Sequence, residues 1–378
     1  MKLTLPPLRL TGAAVLKEGK VQSRSVGIDR GCFAKGPFPA VDLEDFIVLP
    51  GLINLHGPTC TPWSSVPPQS VADHLAQLDK GASAQGVTTS WAPLAWGQGA
   101  QDQDPILTDW QATTLATHCA RRDSAWTDLR LQLRVSPLDH KGAAALLAAI
   151  KRYEIDALIF DGGCAFDQIT RGVIARHLCG VAEACDALGV LYGSSADATA
   201  EVREHYAMIG AGICEFPQNH APAAAARAMG DAVILDADAV LEAADGQRDS
   251  SMLRHALSGT RCAIASPGGG QRLIAAAFGL VERRLMSLPK AWALVSRAPA
   301  EIMRLPDRGH IDLGRRADLV VLERKTLAVG AVISAGRLVH LAGEARNRFQ
   351  ALGLLPVMQM PTPEKDGTAT TPQGHIAP

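Results

Sequence analysis

Most of the features that would assign a 378-residue chain to a large non-enzymatic class are missing from this one. No run of residues approaches the ~20 consecutive apolar positions that a membrane-spanning helix needs. The opening "MKLTLPPLRLTGAAVL" has no continuous apolar core behind its lysine, so no secretory leader is expected and the expected location is cytoplasmic. Eight cysteines, at positions 32, 60, 119, 164, 179, 185, 214 and 262, form no CxxC pair. Without a leader they read as reduced, mostly buried thiols rather than a disulfide framework. An excess of either charge is also absent, since 37 basic residues face 38 acidic ones and leave a formal charge of -1. No long-range field would gather nucleic acid or an anionic membrane, and neither is an expected partner. There is no GxGxxG opening a helix after the first strand and no GxxxxGK[ST]. This removes the usual support for an open, nucleotide-binding doubly wound sheet, the competing reading of the fold.

What remains is a 47% hydrophobic composition with 35 glycines, that of a soluble α/β protein. Eight apolar β-type stretches follow one another: "PGLINLH" (50–56), "GVTTSWAP" (86–93), "LRLQLRVS" (129–136), "DALIFDG" (156–162), "GVLYGSS" (189–195), "GICEFP" (212–217), "DAVILDAD" (231–238) and "RCAIASP" (261–267). Amphipathic segments such as "VADHLAQLDKGASAQ", "GAAALLAAIKRYE" and "GVIARHLCGVAEACDAL" separate them. Near-continuous apolar strands alternating with helices predict a parallel sheet with a helical outer layer, here an α/β fold of the (β/α)8 barrel type. Short β-like runs occupy the first forty-five residues and return in Arg316–Gly343, which predicts one small sheet built from both ends of the chain. The expected division is a small β-sandwich domain from 1–49 and 306–345, a barrel over 50–305, and a C-terminal extension over 346–378. From Pro356 onward the extension is rich in Pro, Thr and Gly and is expected to be a disordered tail.

The small domain closing around a barrel, with "LPGLINLH" entering the first strand and "DRGHIDLGRRADLVVLE" leading out, resembles the amidohydrolase superfamily over nearly the whole chain. Within it the chain is most similar to the alkylphosphonate-utilisation branch associated with the carbon–phosphorus lyase pathway. The stretches that carry this are "LRLQLRVS", "SADAT", "GICEFPQNHAPAAAARAMGDAVILDA", "LIAAAFGL" and "LPKAWALVSRAPAEIMRLPDRGHIDLGRRADLVVL". The resemblance implies hydrolysis of a ribose 1-alkylphosphonate triphosphate to release pyrophosphate at a divalent-metal centre on the C-terminal face of the barrel.

Several positions of that centre are altered here. Residues i and i+2 of a strand point the same way, so a His-x-His or His-x-Asp pair reaches one cation, but His56 is followed at i+2 by Pro58. The stretch expected after the fifth strand reads Ser194-Ser195-Ala196-Asp197, and Pro267 stands where the resemblance implies a metal-binding aspartate. In the seventh loop Asp236, Asp238, Glu242 and Asp245 would repel a triphosphate unless metal or arginine offsets them. The expected metal complement is therefore none. If one or two divalent ions (Zn, Mn or Fe) are bound, His56, Asp161 and Asp197 are the expected ligands, and Asp161 and Asp197 are also the candidate catalytic groups.

The candidate ligand-binding residues are His56, Asn219, His220 and Arg272. The "PQNH" segment 217–220 reads either as substrate contact or as a turn. "SPGGGQR" (266–272) offers backbone N–H groups to a phosphate with Arg272, Arg248 or Arg254 as partner, or is a loop that replaces a lost catalytic turn. Asp161 reads either as a fourth-strand ligand or as an Asx-turn. Asp139 and His140 read as a helix start before an acid/base pair, and Cys60, Cys164, Cys214 and Cys262 as core thiols. Asp318 and His310 read as structural. The leading functional expectation is a diverged or non-catalytic protein that binds a sugar-phosphate-like small molecule, or a protein partner, at the barrel mouth. The alternatives are an active metal-dependent hydrolase of phosphonate or triphosphate substrates and a structural subunit of a complex; a homo-oligomer is compatible with each.

Overall fold

The computed structural model describes residues 3–60, 70–97, 105–138, 142–161, 176–247, 249–258, 261–351 and 353. Asp139, His140, Cys164, Arg248 and the tail from Pro356 lie outside the described residues.

All eight apolar stretches form strands of one parallel sheet: Leu52–Asn54, Val87–Trp96, Asp128–Val135, Ala157–Asp161, Leu191–Ser195, Ile213–Glu215, Ala232–Asp236 and Cys262–Ala265. They pair in strict sequence order, each with the next, as helical crossovers of one hand require. Val71–Ala84, Pro105–Arg121, Ala143–Tyr153, Arg176–Leu188, Ala200–Met208, His220–Met229 and Gly270–Glu282 are among the helices outside the sheet. In the third strand Leu129, Leu131, Leu133 and Val135 join the apolar layer beneath these helices. The alternate residues Arg130, Gln132 and Arg134 consequently face the lumen. The inner layer is otherwise Ile53, Leu55, Trp91, Ile159, Ile213, Ile234 and small alanines.

The first and eighth strands share no ladder, so the barrel is nearly but not fully closed by backbone pairing. Asn54 bridges the seam: its amide donates to the Ser266 carbonyl (2.8 Å) and accepts from the Ser266 N–H (3.0 Å). The carbonyls of Val295 and Leu294 take the N–H groups of Ile53 and Ile264, each at 2.9 Å. At the opposite, N-terminal end, Arg308 binds Asp128 (2.6 Å) and Thr89 (2.9 Å), while Trp91 donates to Asp156 (2.9 Å) under the Arg130 guanidinium. Charged groups thus plug the floor, and the C-terminal mouth remains as the place for chemistry.

Both chain ends contribute to a seven-stranded sheet in which Phe46–Pro50 pairs with Leu319–Glu323, beside a four-stranded sheet from residues 8–42. One apolar cluster, including Leu8, Val15, Phe33, Val48, Leu319 and Ile333, is shared between the two sheets. A helix over Gly343–Gln350 runs across the boundary expected between 345 and 346, with Ala345 and Phe349 buried in that cluster. Asp318 accepts from Arg316 (2.9 Å) and from the Ala335 N–H (2.7 Å), which gives it a structural task in the turn.

Candidate functional site

The register of the sheet sets Asp161, Ser195 and Glu215 side by side at the C-terminal ends of strands four, five and six. Arg134, on the third strand, reaches into this row. Its guanidinium donates to Asp161 Oδ2 from Nε (2.9 Å), and to Glu215 Oε2 (2.5 Å) and Gln132 Oε1 (3.2 Å) from Nη1. His56, at the end of the first strand, places Nδ1 3.0 Å from Glu215 Oε1 and 3.3 Å from Arg134 Nη1. Glu215 is fully buried, and burial alone would raise its pKa. Arg134 and His56 override that cost and hold the carboxyl well below the usual glutamate range, so it is ionised. The same two carboxylates outweigh the burial of Arg134 and keep its guanidinium more firmly charged. An ionised Glu215 can accept the Nδ1 proton of His56.

Two residues in the left-handed region flank Glu215: Ala196 at φ 58° and Phe216 at φ 51°. Each costs roughly 1–2 kcal/mol of backbone strain for a residue with a Cβ. Ala196 donates its N–H to the Glu215 carbonyl (2.9 Å), and the Phe216 ring lies 5.0 Å from the imidazole of His56. Strain is thus spent on fixing the wall on which the His56–Glu215 pair rests.

The structure joins two of the expected metal ligands through Arg134 and separates the third. Asp197 faces away from the lumen into the layer beneath the helices. There it accepts from Ser194 Oγ (2.7 Å) and lies 3.6 Å from the guanidinium of Arg203, which is fully buried. Burial raises the pKa of Asp197, while Ser194 and Arg203 pull it back. The cause of its misplacement is the turn at Ala196, whose left-handed conformation swings the next residue to the outer face. Among the described residues no group of three or more His, Cys, Asp or Glu side chains could hold a metal ion. The lone pairs of Glu215 and one oxygen of Asp161 are already used on a cation of the protein's own, and a second, divalent cation would sit against the guanidinium. The described residues therefore do not fit a divalent ion.

The other candidates have local work. Asn219 caps the helix His220–Met229: it accepts from the Ala221 N–H (2.9 Å) and donates to the Ala198 carbonyl (2.7 Å). His220 begins that helix, exposed, and is not brought to the His56 cluster. Arg272 pairs with Asp238 on the exterior, and Asp245 with Arg283, so arginines do offset part of the acidic seventh loop. Asp236 caps the helix that follows it through the N–H groups of Asp238 (2.9 Å) and Ala239 (3.0 Å).

The glycines of "SPGGGQR" serve close packing rather than an anion. A Cβ on Gly270 would lie 2.2 Å from the Gln85 carbonyl oxygen, and one on Gly269 would lie 2.3 Å from Gln85 Oε1. Gln85 Oε1 also receives the Gln271 N–H (3.4 Å) at the start of the helix. Cys60, Cys214 and Cys262 are buried, and burial pushes the thiols of Cys60 and Cys262 up to about 12. They stay protonated and inert.

Sequence reasoning missed Arg134 and Glu215 as site residues. The legible signal was the period-two placement of Arg130, Gln132 and Arg134 in an otherwise apolar strand, which can only put polar groups in the lumen.

Comparison with known proteins agrees with this architecture. Residues 183–340 match the Amidohydrolase family. A relative from Escherichia coli (strain K12), alpha-D-ribose 1-methylphosphonate 5-triphosphate diphosphatase, is 32% identical over 148 residues. That match spans 38% of this chain and 39% of the relative's length. Among solved structures, N-acetylglucosamine-6-phosphate deacetylase from Pasteurella multocida superposes with a TM-score of 0.65 at 11% identity, covering 87% of this chain and 98% of that one. Dihydropyrimidinase from Brevibacillus agri NCHU1002 has a TM-score of 0.64 at 15% identity, covering 92% and 97%. At such identities these neighbours speak for the fold alone. The family match takes in the second half of the barrel and the strands that return to the small sheet, and with the fold shared across nearly the whole chain it makes the protein similar to the Amidohydrolase family, with a likeness over part of its length to the ribose 1-methylphosphonate 5-triphosphate diphosphatase.

Proposed function

We propose that the protein is a diverged amidohydrolase that does not carry out metal-dependent hydrolysis and instead holds a small hydroxyl-rich ligand, the sugar part of a sugar-phosphate-like molecule, at its barrel mouth. The observation that carries this reading is the guanidinium of Arg134 placed among Glu215, Asp161 and His56. It supplies from the chain itself the positive charge that a metal would bring, and it offers no open coordination position for an attacking water.

The groups left for a ligand are Nε2 of His56 and, as an acceptor, the second oxygen of Asp161, whose side chain is 36% exposed. A carboxylate oxygen selects the hydroxyl hydrogens of a sugar. A bare phosphate gains little there, because Arg134 is committed to two carboxylates and Arg272 to Asp238. The likeness to a diphosphatase of a ribose derivative supports a ribose-type ligand.

The test is a thermal-shift titration of the full chain with D-ribose and ribose 5-phosphate, beside an assay of pyrophosphate release from ribose 1-methylphosphonate 5-triphosphate with added Zn2+ or Mn2+. The expected result is a saturable rise in Tm that D161N and H56A abolish, with no turnover. Metal-dependent turnover that disappears in E215Q would establish the hydrolase instead. No ligand response, together with a stable protein partner in a pull-down, would establish the scaffold role.

A further inference from the structure

A second cavity, in the small domain and away from the barrel mouth, has the opposite electrostatic character. Its volume is about 450 Å³, and Arg9, Lys17, Arg24 and Lys35 line it over a floor that includes Phe33 and Leu313. No acidic side chain is among the residues lining it. This is a marked local departure in a chain whose formal charge is -1.

The basic groups come from separate elements. Arg9 lies in the strand Leu8–Thr11 and Lys17 ends Ala14–Lys17, while Arg24 and Lys35 follow Lys20–Ser23 and Cys32–Ala34. Arg9 pairs across the sheet with Gly27 on one side and Ala40 on the other, so only a methyl group stands beside it in the ladder. Its Nε is buried and has no hydrogen-bond partner. Lys17 comes no nearer to a carboxylate than 4.0 Å, at Glu18, and Arg24 and Lys35 form no ion pair among the described residues. Arg134 at the barrel mouth, Arg308 at its floor, Arg203 beneath the helices and Arg272 on the exterior are, by contrast, each matched with a carboxylate.

Like charges gathered around one cavity repel, and a buried guanidinium N–H without an acceptor carries its desolvation cost unrelieved. A multiply charged anion in the cavity removes the repulsion and gives the Arg9 guanidinium a counter-charge. The cavity volume falls within the roughly 300–1,000 Å³ typical of small-molecule sites, and Phe33 and Leu313 provide an apolar surface beside the cations. We propose that this groove is a binding site for a small organic di- or oligophosphate, with Arg9, Lys17, Arg24 and Lys35 on the phosphates and the organic part against Phe33 and Leu313. The site is separate from the sugar-binding reading of the barrel mouth and does not depend on it.

Inorganic pyrophosphate is the probe. Calorimetric titration into the full chain near physiological salt should show one saturable site. The double charge reversal R24E/K35E, at two exposed positions, should weaken it at least ten-fold. R9M should weaken it as well, whereas K151E/K290E, which reverses two exposed lysines elsewhere, and H56A should leave it within two-fold. Absence of saturable binding to the wild-type chain would overturn the proposal. So would binding that R24E/K35E leaves unchanged, or that K151E/K290E weakens equally, since that is general charge attraction. Loss of ribose binding in H56A with pyrophosphate binding intact separates the two sites.

Discussion

Arg134 and Glu215 are each expensive alone and stable together. Removing one member of a buried ion pair leaves an uncompensated charge and costs roughly 3–5 kcal/mol, whereas replacing both with neutral groups of similar size is often tolerated. R134M should therefore lower the stability of the chain more than E215Q, because Glu215 is the fully buried member. The double variant R134M/E215Q should recover much of the loss, a coupling of order 1–3 kcal/mol readable in urea denaturation. Independent, additive losses would show that the pair is not the unit described. The same interaction has a pH signature. Glu215 has its pKa depressed in the folded state, so the stabilisation is present above the unfolded value of about 4.3 and is lost as pH falls through the lower folded value.

Elements were legible where their periodicity is strong and poorly legible where a turn decides the direction of a side chain. The eight barrel strands follow from eight apolar runs between helices, because such runs have few other ways to bury both faces. Asp197 was misread because one left-handed residue, Ala196, sends it outward, and nothing in "SSADAT" announces that conformation. Glu215 was hidden inside "GICEFP", where an apolar run obscures the inward parity of its last residue. The glycine run reads either as an anion-holding helix start or as a loop that replaces a lost turn, yet it is a packing surface for Gln85, which is distant in sequence and brought close by the meeting of the first and eighth strands. That contact makes a prediction for the helix Gly270–Glu282. G270A drives a Cβ against the backbone oxygen of Gln85, and no side-chain change can relieve it. G269A meets the Gln85 side chain as well as a φ of 86°, so Q85A should restore part of its loss. Melting temperatures of G270A, G269A and each combined with Q85A check this; equal rescue of both would contradict the packing described.

The whole molecule divides its charge between a mouth of matched ion pairs, a sealed barrel floor and an unmatched basic groove in the small domain. The floor makes the fold sensitive to acid. His118 is buried beside it, and burial first, then Arg122, lowers its pKa from 6.5 to about 4. The unfolded chain takes up a proton at that histidine below pH 6.5 while the folded one does not, so stability falls as pH drops from 6.5 to about 4 and then levels. The full effect is on the order of 3 kcal/mol, and H118Q should flatten that part of a stability-versus-pH curve. An unchanged curve would place the acid sensitivity elsewhere.

Arg134 occupies the space between Asp161, Glu215 and His56, and we propose that it stands there in place of a metal. The most direct test of this is the metal content of the full chain, purified without chelator and measured by elemental mass spectrometry, with R134M in parallel. The expected result is well below one equivalent of zinc, manganese or iron in the wild-type chain. One or two equivalents bound stoichiometrically to the wild-type chain, and lost in H56A or E215Q, would contradict it.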